Sequence, residues 1–411
     1  MFDQQEKARR TLLLSLSLSI NLGLLVYFKY SNFFVENINM ALAQLGLKQV
    51  LWTKLILPIG ISFYTFETIT YVVDVYRRVH KPLRNFWNYQ MYIILFPKLI
   101  AGPIIRFHDF ADQIYGHTLH ETTDNKLRGL YRFFFGLGKK VLIANVMGAN
   151  ADAIFNTLFT DLGTFTLWIG MLSYTFQIYF DFSGYSDMAI GLGMMMGFRF
   201  PENFNNPYIA TSVTDFWRRW HITLGSWMRN YLYIPLGGNK VKSKLRLYLN
   251  LWLVFLASGF WHGAAWGFIL WGAYHGFFLV IERIFAGRWL EKAGRFAFLY
   301  TFPVVLIGWL FFKLESLGTS LHYLRRMFVW HAGNGHHWAA DKEFIFYLSV
   351  AAFFSFFTLS RRAGKLQEKL LSPNYTLAMH CTMMILGLFV FILSAGKITG
   401  SDFNPFIYFR F

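Results

Sequence analysis

Apolar blocks about one bilayer long, separated by short basic clusters, constrain this chain more than any other feature. From Thr11 to Phe28 no side chain carries a charge, and comparable runs recur along the sequence. A hydrocarbon core about 30 Å thick takes roughly 20 apolar residues per helix. Candidate spans fall at about 11–28, 50–75, 89–106, 128–148, 163–181, 183–199, 247–261, 264–285, 298–313, 343–360 and 377–396. Charged residues are 15% of the chain, against about 25% in soluble domains. Hydrophobic residues reach 55% and mean hydropathy is +0.36, too apolar for a water-soluble chain of 411 residues. Disorder, collagen and coiled coil are excluded by the same composition and the lack of a short repeat. The sequence predicts an all-α, polytopic integral membrane protein with about ten or eleven membrane helices. Several are short or carry Gly and Pro and read as re-entrant or tilted. No linker rich in Pro, Gly or Ser divides the chain, so residues 1–411 read as one membrane domain.

The net charge of +17 is carried by loops. Arg77, Arg78, Lys81 and Arg84 form one cluster and Lys240, Lys242, Lys244 and Arg246 a second. Arg325 and Arg326 form a third, and Arg361, Arg362, Lys365 and Lys369 a fourth. Placed between apolar blocks, they read as cytoplasmic loops under the positive-inside rule, not as a nucleic-acid surface. Cys381 is the single cysteine, which excludes an intramolecular disulfide and a thiolate metal site. It reads as a small apolar residue in a late span. His331, His336 and His337 lack paired helical spacing and read as a polar loop; no metal site is expected. The run after Met1–Arg10 is long for a signal sequence and ends in Lys29 without a small-residue cleavage site, so it reads as a retained helix.

A charge inside a span costs at least ~2.5–3.5 kcal/mol, so buried ionisable residues are functional candidates. Four polar islands stand out. Gln177–Asp187 places Asp181 and Asp187 in apolar surroundings, with Ser183 and Gly184 expected to interrupt the helix. The carboxylates fit either a tunnel wall or a hydrogen-bonded network between helices. Pro201–Tyr208 carries turn residues and reads as a loop. Thr214–Arg229 reads as one amphipathic helix, with Trp217, Trp220, His221, Leu224 and Met228 on one face and Arg218 and Arg229 on another. Asp215 is spaced to pair with Arg218 or Arg219. The basic face suits the phosphates of an anionic donor such as coenzyme A and lipid headgroups equally well. The fourth island, Ser258–Trp266, sets His262 between glycines. Histidine titrates near neutrality and suits general base work; a buried, hydrogen-bonded structural histidine fits the same pattern. His275 falls far round a continuous helix from His262, so no shared metal site is expected. The chain lacks a G-x-S-x-G elbow, an H-E-x-x-H pair and a Walker A loop. A transporter built of broken helices remains open.

Taken in order, these islands resemble the membrane-bound O-acyltransferase family, and within it the bacterial polysaccharide branch. The similar stretches are Leu57–Tyr64, Phe96–Arg106, Tyr179–Gly191, Phe198–Asn205, Asp215–His221, Tyr231–Gly238, Trp261–Gly263 and the ending Asn404–Phe411. The resemblance implies an all-helical domain around a central tunnel, with His262 of Trp-His-Gly as the essential catalytic residue. His221 takes the family's second active-site position. Asp181, Asp187, Arg218, Arg219 and His275 become candidate donor or tunnel contacts. It further implies transfer of an acetyl group from cytoplasmic acetyl-CoA, a co-substrate and not a bound cofactor, toward an exopolysaccharide such as alginate. The expected partners are a periplasmic SGNH-type O-acetyltransferase, a polysaccharide biosynthesis and export complex, and lipids of the bacterial inner membrane. His262 would act as a base or carry the acetyl group itself. Members of this branch usually have further membrane segments ahead of the stretch resembling residues 11–33. The rivals are D-alanyl transfer from a carrier protein to teichoic acid, a glycan or lipid transporter, and a scaffold that docks a soluble acetyltransferase.

Overall fold

The computed structural model describes residues 2–158, 161–334, 338–372, 375–400 and 404–407. The described residues form helices and loops, with one isolated β-bridge between Phe204 and Trp220. Among the described residues, four helical stretches are long and apolar enough to cross a membrane: Gln5–Gln44, Trp266–Lys313, Lys342–Leu359 and Leu377–Thr399. The first and last of these bury little and present Leu12, Leu16, Ile20, Ile385, Phe389 and Ile392 outward. Apolar surface of that extent is stable against lipid and not against water.

The chain opens with α1 (Phe2–Gln44), which packs along α2 (Ile61–Tyr76). Asn32 of α1 holds the intervening extended segment, accepting from the Leu55 N–H and Trp52 Nε1 and donating to the Leu55 carbonyl. Gly60, at φ 77°, turns the chain into α2, where a Cβ would lie 2.8 Å from the Leu99 carbonyl oxygen. The expected span at 89–106 is broken. α3 (Phe86–Ile94), capped by Asn85, gives way to a 3₁₀ turn at Phe96–Lys98 and then to irregular, buried backbone. Such backbone is tolerated at membrane depth only where protein encloses it. Here Lys98, wholly buried, reaches Glu67 of α2 at 2.5 Å and also the Tyr92 carbonyl. Two short helices follow, α4 (Phe107–Phe110) and α5 (Gln113–Gly116).

α6 (Thr123–Gly138) runs through a π-helical turn, Lys139–Ala144, into α7 (Asn145–Phe155). All three lie along α8 (Thr164–Met195), the most enclosed element of the fold. The sequence reading predicts an interruption at Ser183–Gly184 and two spans; α8 is instead one continuous helix of 32 residues. The glycines serve a different purpose. A Cβ on Gly184 would lie 2.8 Å from the Gly136 carbonyl oxygen, and one on Gly191 2.5 Å from that of Gly129. Small residues let two membrane helices approach backbone to backbone.

The stretch predicted as a single amphipathic helix is also divided. α9 (Val213–Arg219) and α10 (Ile222–Trp227) meet at His221, whose φ of 46° and ψ of 52° are left-handed. A continuous helical face through Trp217, Trp220 and His221 therefore does not form. α11 (Lys244–His262) and α12 (Trp266–Ile281) make a hairpin around Gly263. Beyond the short α13 (Gly287–Ala293), α14 (Phe298–Lys313) packs on α12 and α8. α15 (Leu317–Phe328) lies against α8, and α16 (Lys342–Phe356) against α7 and α8. The polar, exposed α17 (Arg361–Leu371) precedes α18 (Leu377–Thr399), which packs on α6.

The glycine seam yields the first expectation. Gly184→Leu drives its side chain into α6, and overpacking of this kind costs at least about 1–3 kcal/mol. Size-exclusion chromatography and melting in detergent should show a lower yield of monodisperse protein and a lower Tm. Gly23→Leu on α1, where a Cβ meets nothing within 4 Å, should match the wild type.

Candidate active site

His262 is the final residue of α11 and is buried. Its ring stands edge-on to Trp271 of α12 at 5.2 Å and Phe312 of α14 at 5.2 Å, and lies 4.9 Å from Trp261. It opens onto a small enclosed cavity walled by Phe182, Trp220, Trp271, Trp309 and Ile407. The space is about 10 Å³, enough for roughly one water molecule. Three helices and a returning C-terminal segment therefore enclose one imidazole in aromatic walls.

The same helix end meets α1. Lys29 Nζ donates to the carbonyl of Trp261 at 2.5 Å and of His262 at 3.1 Å, and to Ser62 Oγ of α2 at 3.1 Å. Tyr30 Oη donates to the Phe260 carbonyl at 2.6 Å, its ring stacked on that of Phe260. The Trp261 indole stacks on Phe66 at 5.0 Å, and Phe66 stacks in turn on Trp227. Sequence reasoning took Lys29 only as the end of an apolar run. The signal it carried was a cation inside a helix that continues to Gln44.

His221 comes to the same region from the α9–α10 junction. Its ring is 4.7 Å from Phe182 and 6.4 Å from Trp261, so both histidines share these two neighbours. Asn203, in the loop after α8, fixes its protonation. Asn203 Oδ1 accepts from the Thr223 N–H at 3.3 Å and from Thr223 Oγ1 at 2.9 Å, while Nδ2 donates to Ser186. A backbone N–H can only donate, so the atom it meets is the amide oxygen. The His221 nitrogen 3.1 Å from that oxygen, Nδ1, is therefore the donor. In the neutral ring this leaves Nε2 as the acceptor. Asn203 is a second residue that sequence reasoning read only as part of a loop.

The remaining sequence candidates separate by position. Asp181 does not enter the cavity as a free carboxylate: Lys140 reaches it at 2.6 Å, and it accepts the Ile407 N–H at 2.9 Å. Lys140 also donates to the Pro405 carbonyl, so this pair draws residues 405–407 toward the chamber that Ile407 lines. Asp187 is tied to Lys139 at 2.6 Å and to Arg132, which also holds Glu202. Of the two partners expected for Asp215, Arg219 is the one that pairs with it, at 2.9 Å. Arg218 is exposed on α9. His275 is wholly buried on α12, its ring 5.2 Å from Trp271 and 4.9 Å from Trp217. Trp271 thus lies between the His262 and His275 rings. The space His275 occupies exists because residue 308 is glycine, where a Cβ would lie 2.5 Å from Nε2.

Among the described residues, no three of His, Cys, Asp and Glu are grouped to hold a metal ion. His331 belongs to its loop: Nδ1 accepts from the Gly333 N–H. His336 and His337, like Tyr408–Phe411 of the C-terminal motif, lie outside the described residues. Cys381 is exposed on α18.

Comparison with known proteins agrees with this architecture. Residues 13–320 match the model of MBOAT, the membrane-bound O-acyltransferase family. The chain is 40% identical to the probable alginate O-acetylase AlgI of Pseudomonas putida over 98% of its own length and 85% of that protein. It is 39% identical to the peptidoglycan O-acetyltransferase of Helicobacter pylori over 79% of this chain and 66% of that one. It is 29% identical to the teichoic acid D-alanyltransferase of Bacillus subtilis over 58% of this chain and 62% of that one. An all-helical membrane architecture, a histidine in an aromatic chamber and a family match over residues 13–320 lead to one assignment: the chain belongs to the membrane-bound O-acyltransferase family and is a multi-pass membrane acyltransferase.

Proposed function

We propose that this protein moves an acetyl group from acetyl-CoA, on the cytoplasmic side of a bacterial inner membrane, toward an exopolysaccharide such as alginate. The observation that carries the reading is the placement of His262 in a closed aromatic chamber beside His221, whose tautomer Asn203 sets. The 40% and 39% identities to proteins named for polysaccharide and peptidoglycan acetylation support an acetyl group. The 29% identity to a D-alanyltransferase ranks carrier-protein-dependent alanyl transfer second.

In this mechanism an acceptor hydroxyl attacks the thioester carbonyl, and His262 takes the hydroxyl proton as the carbon–oxygen bond forms. The carbon–sulfur bond breaks and coenzyme A leaves as the thiol, taking the proton back. In the alternative course the imidazole attacks the carbonyl first, the carbon–sulfur bond breaks and coenzyme A leaves as the thiol; the acetyl-imidazole then passes its acetyl group to the acceptor hydroxyl, whose proton goes to the imidazole. His221, with an acceptor nitrogen at Nε2, extends the proton path or positions the donor. The apolar walls hold water back from a reactive thioester. A periplasmic SGNH-type acetyltransferase would receive the group and deliver it to the polymer, working with the biosynthesis and export complex.

Release of free coenzyme A thiol by purified protein in detergent, for wild type and His262→Ala side by side, tests the reading. General base catalysis contributes typically ~10²–10⁴-fold, and the variant should lose turnover to that extent. Equal turnover by both removes His262 from the chemistry. Turnover only with an acylated carrier protein moves the assignment to alanyl transfer. Asn203→Leu deprives His221 and Thr223 of their shared acceptor. Losing a buried partner costs about 1–3 kcal/mol, so turnover should fall about 5- to 150-fold if the cost falls on the reacting geometry. Asn203→Asp, which keeps the acceptor, should retain more activity in the same assay.

A further inference from the structure

We propose that Lys29 and Tyr30 of α1 are positioning residues for His262, making a largely exposed helix a working part of the active site. The inference rests on the functional reading above for its activity readout and on geometry alone for the rest.

The last four carbonyls of any helix lack an intrahelical partner. In a membrane each such group costs several kcal/mol unless something supplies a donor. α11 stops at His262 because Gly263 leaves the helix in an extended conformation and packs against the Phe268 ring, which a Cβ would strike at 2.1 Å. The carbonyls of Phe260, Trp261 and His262 are therefore left to other partners. Tyr30 supplies one donor and Lys29 the other two.

The stoichiometry is closed. An ammonium group has three N–H bonds, and Lys29 directs them to three oxygens, those of Trp261, His262 and Ser62. A cation at this place also opposes the partial negative charge at a helix C-terminus. Lys29 Nζ further lies 5.7 Å from the Trp261 ring. One helical turn or more beyond, Asn37 of α1 accepts from Trp266 Nε1 at 3.0 Å, on the far side of the α11–α12 turn. α1 thus grips the turn that carries His262 before and after the histidine, although little of its apolar stretch is buried. This arrangement accounts for a lysine in an otherwise lipid-facing helix, a placement that costs too much to persist without a use.

The test uses the whole protein in detergent and two readouts. One is labelling of His262 by diethyl pyrocarbonate, followed by peptide mass spectrometry. The other is acetyl transfer from acetyl-CoA, resolved into kcat and KM. Lys29→Met should raise His262 labelling severalfold. It should also lower kcat about tenfold or more, as misplacement of a reacting group does, with the donor KM held within about twofold. Lys29→Arg, which keeps a cation and several donors, should recover part of both effects. Asn32→Ala loosens α1 from the 52–55 segment without touching α11 and should leave labelling at the wild-type rate. Tyr30→Phe deletes one hydroxyl and is the variant to use if Lys29→Met does not fold. Loss of one hydrogen bond, about 0.5–1.5 kcal/mol, predicts a two- to twelvefold effect on kcat. Wild-type labelling and kcat in Lys29→Met, or in Tyr30→Phe in its place, overturn the proposal, as does an equal response in Asn32→Ala. If the wild type transfers no acetyl group while labelling responds to Lys29, the functional reading fails and the positioning role stands.

Discussion

The close approach of α6 to α8 is the contact from which the rest of the site follows. Gly129 and Gly136 face Gly191 and Gly184 at distances that exclude even a methyl group. At that spacing the π-helical turn beginning at Lys139 presents two successive lysines to α8. Lys139 reaches Asp187 and Lys140 reaches Asp181. The Lys140–Asp181 pair is buried on both sides, and removing one member of such a pair costs about 3–5 kcal/mol. Its spare bonding capacity holds the Pro405 carbonyl and the Ile407 N–H. A helix–helix contact thereby becomes a wall of the His262 chamber.

What the sequence discloses and what it hides divide along a physical line. A charge or histidine in an apolar run is visible because its cost is local, and Asp181, Asp187, His221, His262 and His275 all stand out that way. The partners that offset the cost are far along the chain: Lys140 is 41 residues from Asp181, and Lys29 is 232 from Trp261. No spacing rule links them. Gly184 was ambiguous for a related reason. Glycine weakens a helix by its freedom and strengthens a helix pair by its size, and only the neighbour decides which applies. The break at His221 left no local signal, because a left-handed histidine looks like any other until the Asn203 loop and the Thr223 hydroxyl fix it. Lys98 and Glu67 fall in two different segments read as spans, and only the fold brings them together.

Large rings gather at the centre of the fold, among buried aliphatic side chains such as Leu167, Val305 and Leu310. Trp271, Trp309, Tyr174, Phe176 and Phe180 fill the centre, whereas the leucines and isoleucines of α1 and α18 face outward. Rigid rings around His262 have few rotatable bonds, so ordering them costs little entropy, and edge-to-face pairs such as Trp271 with His262 define mutual orientation. Aliphatic side chains facing lipid need no such definition.

The wall formed by Ile407 bears on biosynthesis. Asp181 is inserted early and its partner N–H lies 226 residues downstream. While a nascent chain extends only through α14, His262 already sits at its helix end with Trp309 and Phe312 beside it, but the side of its chamber formed by Ile407 is missing. The enclosure closes after α18 has entered the membrane and the following segment has folded back onto α8. Long-range closure of this kind is slow relative to local helix pairing. A partly synthesised chain thus holds its imidazole in an unfinished pocket until residues 405–407 are in place.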